Sequence, residues 1–390
     1  MSLDFSVDKL GTKFSFTAVC KDLEQVMGRV NGAMAASSSK TKYYFVVARK
    51  GKLALIAYSQ DTFCCVRVNN ASSEGEGIFS VEPASLTGIV KGRSNMDFTF
   101  DGSELAFKLT KGKYSGTMTT LTIQDEQLAH IKANFASGKK DEASTLSRDL
   151  LASLKEGMVL TNVKDVYAGK DLASHITLDE KQITVSAFDT HHFALFTKKV
   201  KTGFNGLRVV LPVNHFNIID KMVDSSDKDS KFVLRAESVR VHGSNFLLVL
   251  PAIQTEEKNF TIVQTFLASV GTLKNRFKYK NDQLLTLIDN LYTLNAVNAT
   301  FEVTADKSGL QFTFNTANGS ARDVLKAETL ASEKGAKIKL DPPLFRDTLG
   351  LAKNQKDTVL SFSTGKRGNL RIECKTESGA SLTLLSALAQ

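Results

Sequence analysis

No stretch of this 390-residue sequence approaches the roughly 20 apolar residues needed to cross a bilayer. The opening Met1-Ser2-Leu3-Asp4-Phe5 also lacks the basic-then-apolar layout of a signal peptide. A cytoplasmic protein with no membrane partner is expected. Cysteine is scarce: Cys20, Cys64, Cys65 and Cys374 include an adjacent pair but no CxxC spacing, which argues against a disulfide framework or a zinc site and predicts reduced, buried thiols. There is no Gly-x-Ser-x-Gly, no phosphate loop and no His-x-x-x-His. Asp189, His191 and His192 stand close together, but adjacent residues on a strand point to opposite faces, so this group does not read as an acid–base pair. Neither catalysis, a cofactor nor a bound metal is expected.

What the chain does contain is a globular composition, 42% hydrophobic and 23% charged, in a length that suits two to four domains. The 50 Lys and Arg against 41 Asp and Glu leave a charge of +9, a modest excess that favours polyanionic partners without naming one.

A long internal repeat organises the sequence. Ile78-Phe79-Ser80-Val81-Glu82-Pro83 leads into Leu86 and Ile89, reading as a short strand that enters a helix with proline in its first turn. The same pattern returns at Val209-Val210-Leu211-Pro212 and at Ile338-Lys339-Leu340-Asp341-Pro342-Pro343, about 130 residues apart each time. These stretches hold four of the five prolines, so chance recurrence is a poor explanation. After each comes a pair of alternating strands: Phe98 to Phe107, Phe232 to Val241, and Val359 to Ile372.

The front half of each unit repeats as well. Leu23, Val26, Met27 and Val30 fall at i, i+3, i+4 and i+7 of an amphipathic helix; Leu284, Leu287, Ile288 and Leu291 repeat that spacing, and Leu151, Leu154 and Met158 follow it loosely. Strands follow at Tyr44 to Tyr58, Ile176 to Phe188 and Thr300 to Phe314. The expected fold is α+β, with three repeated modules over 1–128, 140–257 and 262–390, each of two helices packed on antiparallel sheets. Module boundaries are expected near Asp125 to Ala143, which holds a polar run suited to a linker, and near Glu256 to Phe266.

The order of these elements and the residues filling them resemble the β subunit of bacterial DNA polymerase III, the sliding clamp, over nearly the whole chain. Phe16-Thr17-Ala18-Val19 running through Leu23 to Val30-Asn31-Gly32 is similar to that family's opening strand and helix. Ala187-Phe188-Asp189-Thr190-His191-His192-Phe193-Ala194-Leu195 resembles its Ala-Thr-Asp-Gly-His-Arg-Leu-Ala segment, with Asp189, His191 and Ala194 kept. The broad divergence suits a bacteriophage or otherwise distant member, acting in the cytoplasm of a bacterium or an infected host.

The resemblance implies a DNA clamp: a homodimeric ring around double-stranded DNA, bound without regard to sequence, serving a DNA polymerase and a clamp loader. It implies a partner-peptide pocket from Asp171, Leu172, Phe188, Thr190, His191, His192, Phe193, Phe260, Ile262, Val263, Leu384, Leu385, Ser386, Ala387 and Leu388. The terminal Ser386-Ala387-Leu388-Ala389-Gln390 replaces the family's Met-Pro-Met-Arg-Leu, so the peptide preference should differ. For ring closure it implies Tyr114 and Met118 meeting Leu287, Leu291 and Tyr292.

Residues opposite the apolar helix stripes are the candidates for phosphate attraction: Lys21, Arg29, Arg148, Lys155, Asn217, Lys221, Arg346 and Lys353, with Lys40, Lys91, Arg93, Lys164 and Lys170 in loops. Glu24, Asp149, Asp220 and Asp347 share these helices, so the faces are not purely basic. The competing reading is a phage structural or single-stranded-DNA-binding protein rich in strands and in its 25 Phe. The Phe residues sit at apolar positions of alternating strands, where core is the expected role.

Overall fold

The structure, a computed structural model, describes residues 3–8, 10, 12–35, 43–60, 62–135, 142–145, 147–162, 173–189, 192–223, 230–235, 238–253, 255–292, 300–306, 309–316, 319–340, 342–364 and 369–387. The first repeat comprises β1 (Phe14–Val19), α1 (Cys20–Met34), β2 (Tyr44–Arg49), β3 (Lys52–Tyr58), β4 (Phe63–Arg67), β5 (Ala71–Glu74), β6 (Gly77–Val81), α2 (Pro83–Val90), β7 (Asn95–Phe100), β8 (Glu104–Leu109) and β9 (Ser115–Thr119), followed by α3 (Asp125–Phe135). The second comprises β10 (Glu142–Thr145), α4 (Arg148–Leu160), β11 (Ser174–Asp179), β12 (Gln182–Phe188), β13 (His192–Lys199), β14 (Leu207–Leu211), α5 (Val213–Met222), β15 (Lys231–Arg235), β16 (Ser238–His242) and β17 (Phe246–Pro251), followed by α6 (Ile262–Val270). The third comprises β18 (Asn275–Tyr279), α7 (Asn281–Tyr292), β19 (Thr300–Asp306), β20 (Gly309–Thr316), β21 (Gly319–Lys326), β22 (Glu328–Ala331), β23 (Lys337–Leu340), α8 (Pro342–Leu351), β24 (Lys356–Phe362), β25 (Asn369–Lys375) and β26 (Ser381–Ala387). Helices therefore occupy parts of both stretches read from sequence as module boundaries.

Two compact units divide the chain, one of Met1–Ser147 with Asn214–Ala252 and one of Arg148–Val213 with Ile253–Gln390. The first holds a five-stranded sheet, β5-β1-β7-β8-β9, and an eight-stranded sheet, β10-β15-β16-β17-β4-β3-β2-β6. The second holds a nine-stranded sheet, β14-β11-β12-β13-β26-β25-β24-β18-β22, and a four-stranded sheet, β21-β20-β19-β23. All of their strand pairs are antiparallel.

The long sheets arise where one repeat joins the next. In the first unit, β4 pairs with β17 through Val66↔Phe246, Cys65↔Leu247, Cys64↔Leu248 and Phe63↔Val249. In the second, β13 pairs with β26 through Phe193↔Leu385, Ala194↔Leu384, Leu195↔Thr383 and Phe196↔Leu382. Both joins unite the strand ending the front meander of one repeat with the last strand of the following repeat. Among the described residues, β9 and β21 end their sheets. By position they are the last strand of the first repeat and the front-meander strand of the third.

Packing explains the sequence patterns. In α1, Cys20, Leu23, Val26, Met27, Val30, Ala33 and Met34 are buried, the stripe expected of a helix laid on a sheet. Leu284, Leu287, Ile288 and Leu291 are buried in α7. In α4, Leu154 and Met158 are buried as expected, together with Leu150 and Ser153, while Leu151 is half-exposed. Gly157 sets that orientation, since a Cβ there would come within 2.7 Å of Phe196 and 2.8 Å of Val185; the helix backbone rests directly on β12 and β13. The eight-stranded sheet is covered on its other side too, where Phe45, Val47, Ile56, Phe63, Cys65, Leu247 and Val249 pack with Ile131 of α3 and with Phe5 and Val7. Two covered faces account for the unbroken apolar runs in β2, β3 and β4. All four cysteines are buried and unpaired, and burial pushes the Cys64 thiol up to about 12.

Candidate functional site: an aromatic row, two open edges and the helix faces

In the second unit, α6 lies on the face of β12 and β13 opposite α4. Phe193 stacks on Phe266 of α6 at 4.3 Å between ring centroids, with an interplanar angle of 19°. Phe188 follows at 6.4 Å from Phe193. His175 lies 5.0 Å from Phe188 and 5.6 Å from Phe260, and the Arg208 guanidinium sits 5.8 Å from the Phe260 ring. Burial lowers the His175 pKa, against a main-chain hydrogen bond with Ser186 that raises it. Leu385 faces Phe193 across the β13–β26 ladder. Phe188, Phe193, Ile262 and Phe266 remain partly accessible while Val263, Phe260 and Leu385 are buried, giving a row of rings with a covered floor.

Most of the described residues expected for the peptide pocket come together here. His192 and Leu384 point the other way: neighbours of Phe193 and Leu385 on their strands, they belong to the α4 side, where both are buried. His192 is held there by Asp189, which accepts its main-chain N–H at 2.6 Å and lies 3.3 Å from Nδ1. Asp171, Leu172, Thr190, His191 and Leu388 lie outside the described residues, as do the side chains of Ser386 and Ala387. Phe266 and His175 were missed by sequence reasoning. Phe266 stands at i+4 from Ile262, a helical spacing hidden by reading this segment as a boundary.

The candidate DNA contacts divide into two groups. Lys21, Lys91, Lys155, Asn217, Lys221 and Lys353 are exposed. Three arginines also make contacts within the fold. Arg29 donates from Nε to the Met222 carbonyl at 2.8 Å and lies 4.6 Å over the Phe246 ring. Arg93 donates to the carbonyls of Gly88 and Ile89, and Arg346 pairs with Asp289 at 3.0 Å. Lys40, Lys164 and Lys170 lie outside the described residues, as does the Arg148 side chain.

Of the residues expected at ring closure, Tyr114 is exposed beside β9 and Met118 is half-buried on it, whereas Leu287 and Leu291 are buried in α7. The Tyr292 side chain lies outside the described residues. Among the described residues, no group of His, Cys, Asp and Glu could hold a metal ion, and no helix is long and apolar enough to cross a membrane.

This arrangement of repeats, joined sheets and helix layers is that of a DNA-clamp fold. The chain matches the DNA polymerase sliding clamp of Bacillus subtilis at a TM-score of 0.74, with 15% identity over 97% of this chain and 100% of that one. It matches the DNA polymerase III β subunit of Thermotoga maritima at 0.70 with 14% identity, and the DNA polymerase sliding clamp of Pseudomonas aeruginosa at 0.72 with 13% identity, each over 97% of this chain and 100% of the other. No family model and no curated sequence matches the chain. The likeness expected from the sequence is therefore met in the fold.

Proposed function

We propose that this protein is a sliding clamp, a non-catalytic processivity factor that closes as a head-to-tail homodimer around duplex DNA and tethers a DNA polymerase through the aromatic row. The observation that carries the proposal is the repeated junction. Each internal join uses one kind of strand edge against the other, and β21 and β9 are the two edges of those kinds left over. An exposed strand such as β21, with Val324 43% accessible, invites pairing with another chain. Two chains joined β9 to β21 satisfy both edges of each, and a heterologous contact that closes after two copies yields a ring.

The register follows from the internal joins. Phe63, Phe193 and Ser320 are the turn-proximal residues of β4, β13 and β21, opposite Tyr58, Phe188 and Asn315. Phe63 and Phe193 face Val249 and Leu385, which in turn face the third residues of β16 and β25, Arg240 and Arg371. The third residue of β8 is Ala106, opposite Thr117. Ser320 of one copy is thereby matched to Thr117 of the other, with Tyr114 and Met118 nearby and α7, bearing Leu287, Leu291 and Tyr292, behind β21.

The exposed lysines supply weak phosphate attraction, which lets a ring slide while topology prevents its loss. The aromatic row suits an apolar linear peptide from a polymerase or a clamp loader. Light scattering should give twice the chain mass, and the protein should persist on circular duplex but run off linear duplex with free ends. Equal lifetimes on the two DNAs, or a monomer at micromolar concentration, would sink the proposal.

A further inference from the structure

In the first unit, one side of α1 (Asp22, Gln25, Val26, Arg29) faces Val66, Arg67 and Asn69 at the end of β4, Lys221 of α5 and Asn245 at the start of β17. Between them is a cavity of about 500 Å³. Three of its lining residues are cations and one is an acid.

Two of the acceptors around this cavity are already engaged. Asp22 Oδ2 accepts from Asn70 at 2.6 Å, and Asn245 Oδ1 accepts from Arg29 Nη1 at 3.3 Å. The donors are not all used. Arg67 is fixed at its main chain, where its N–H donates to the Asn245 carbonyl at 2.7 Å, yet its Nε is buried with no hydrogen-bond partner among the described residues. Its guanidinium makes no ion pair among the described residues. The same holds for the Lys221 ammonium, whose stem passes beside Gly32. A buried guanidinium nitrogen without an acceptor is costly and calls for a ligand.

We propose that this groove is a phosphate-binding site, with Arg67 as its bidentate donor and Lys221 as a mobile point charge across the opening. A guanidinium fork matches two oxygens of a phosphate, and an ammonium supplies charge without fixed direction. Arg29, locked onto the Met222 carbonyl, holds α1 and α5 in place and adds to the positive field. The second join differs at one of these places. Arg29 stands six residues after the first buried leucine of α1, and the residue at that place in α4 is Glu156, which accepts from Lys198 and Ser378. An acid there offers no welcome to an anion.

The source of the phosphate rests on the clamp reading: the backbone of the encircled duplex, with free phosphate as the other source of the same chemistry. Two measurements on the full chain separate them. The first is the slope of log K against log salt for a nicked circular duplex; losing one phosphate contact should reduce it by about 1 in Arg67→Gln and in Lys221→Gln. The second is the phosphorus NMR line of inorganic phosphate, compared between the native protein and Arg67→Gln. Neither variant should lower the thermal midpoint, because neither side chain makes a hydrogen bond among the described residues.

A reduced slope assigns the site to the DNA backbone. An unchanged slope with line broadening that disappears in Arg67→Gln assigns it to free phosphate. Independence of both measurements from Arg67 overturns the site. Should the native protein fail to hold duplex DNA at all, the clamp reading fails, and the NMR comparison alone decides the groove.

Discussion

The Arg93 guanidinium lies 3.9 Å over the ring of Tyr114, joining two residues that sequence reasoning had assigned to separate tasks, one to DNA and one to ring closure. Arg93 also donates to the carbonyls of Gly88 and Ile89 at 2.7 and 2.6 Å, where α2 ends with unsatisfied acceptors. It therefore ties the C-terminus of α2 to the loop that enters β9.

Arg93→Ala should remove the cation–π contact and the helix-end hydrogen bonds, costing about 1–2 kcal/mol of stability. Chemical denaturation of the full chain measures this directly. The salt dependence of duplex binding should stay as in the native protein, which separates this role from a phosphate contact. A fall of about 1 in the salt slope with unchanged stability would return Arg93 to the DNA-binding set.

The β9-to-β21 register gives a second prediction. Residues directly opposite on antiparallel strands have Cα atoms about 4.5–5.5 Å apart, within the range a disulfide spans. The double variant Ser320→Cys with Thr117→Cys should form a covalent dimer on mild oxidation, seen as doubled mass under denaturing, non-reducing conditions. The four native cysteines are buried and should contribute no background. Cross-linking no better than that of either single variant would reject this register.

Much of this architecture was legible in sequence because its signals are local. The stripe Leu23, Val26, Met27, Val30 and the strand-proline-helix stretches at Pro83, Pro212 and Pro342 each sit within a dozen residues, where periodicity and turn chemistry act. The joins were not legible. Val66 pairs with Phe246 and Phe193 with Leu385, separations at which no periodic pattern reports a partner. Among site residues, Phe193 and Phe260 came from family likeness, while Phe266 escaped because α6 sits where a module boundary was expected. The arginines show another limit: charge on a helix face is visible in sequence, but the carbonyl or carboxylate beside it, as Asp289 beside Arg346, is set by the fold.

The aromatic row offers a third test. Phe266→Glu places a charge against Phe193, and on the clamp reading it should abolish stimulation of the polymerase while mass in solution and retention on circular DNA stay unchanged. Loss of the stacked pair should cost only about 0.5–1.5 kcal/mol. Full stimulation by a folded Phe266→Glu protein would move the partner surface elsewhere.

The join between β13 and β26 carries a pH-dependent contact at Glu156. Its carboxylate accepts from Ser378 Oγ at 2.6 Å and from Lys198 Nζ at 3.1 Å. Burial alone pushes the carboxyl pKa up, but hydrogen bonds from Ser378, Thr376 and Lys198 outweigh it and hold the group below its ordinary value of 4.5. A folded pKa below the unfolded one means the contact contributes fully above about 4.5 and is lost as pH falls through the folded value. Glu156→Gln should thus lower the denaturation midpoint near neutral pH, and the gap to the native protein should close as pH falls below 4.5 and through the folded value. The contact is half-exposed and screened by solvent, so the neutral-pH effect should be modest and should shrink in high salt. A gap that persists undiminished into acid would mean that Glu156 acts through packing and not through its charge.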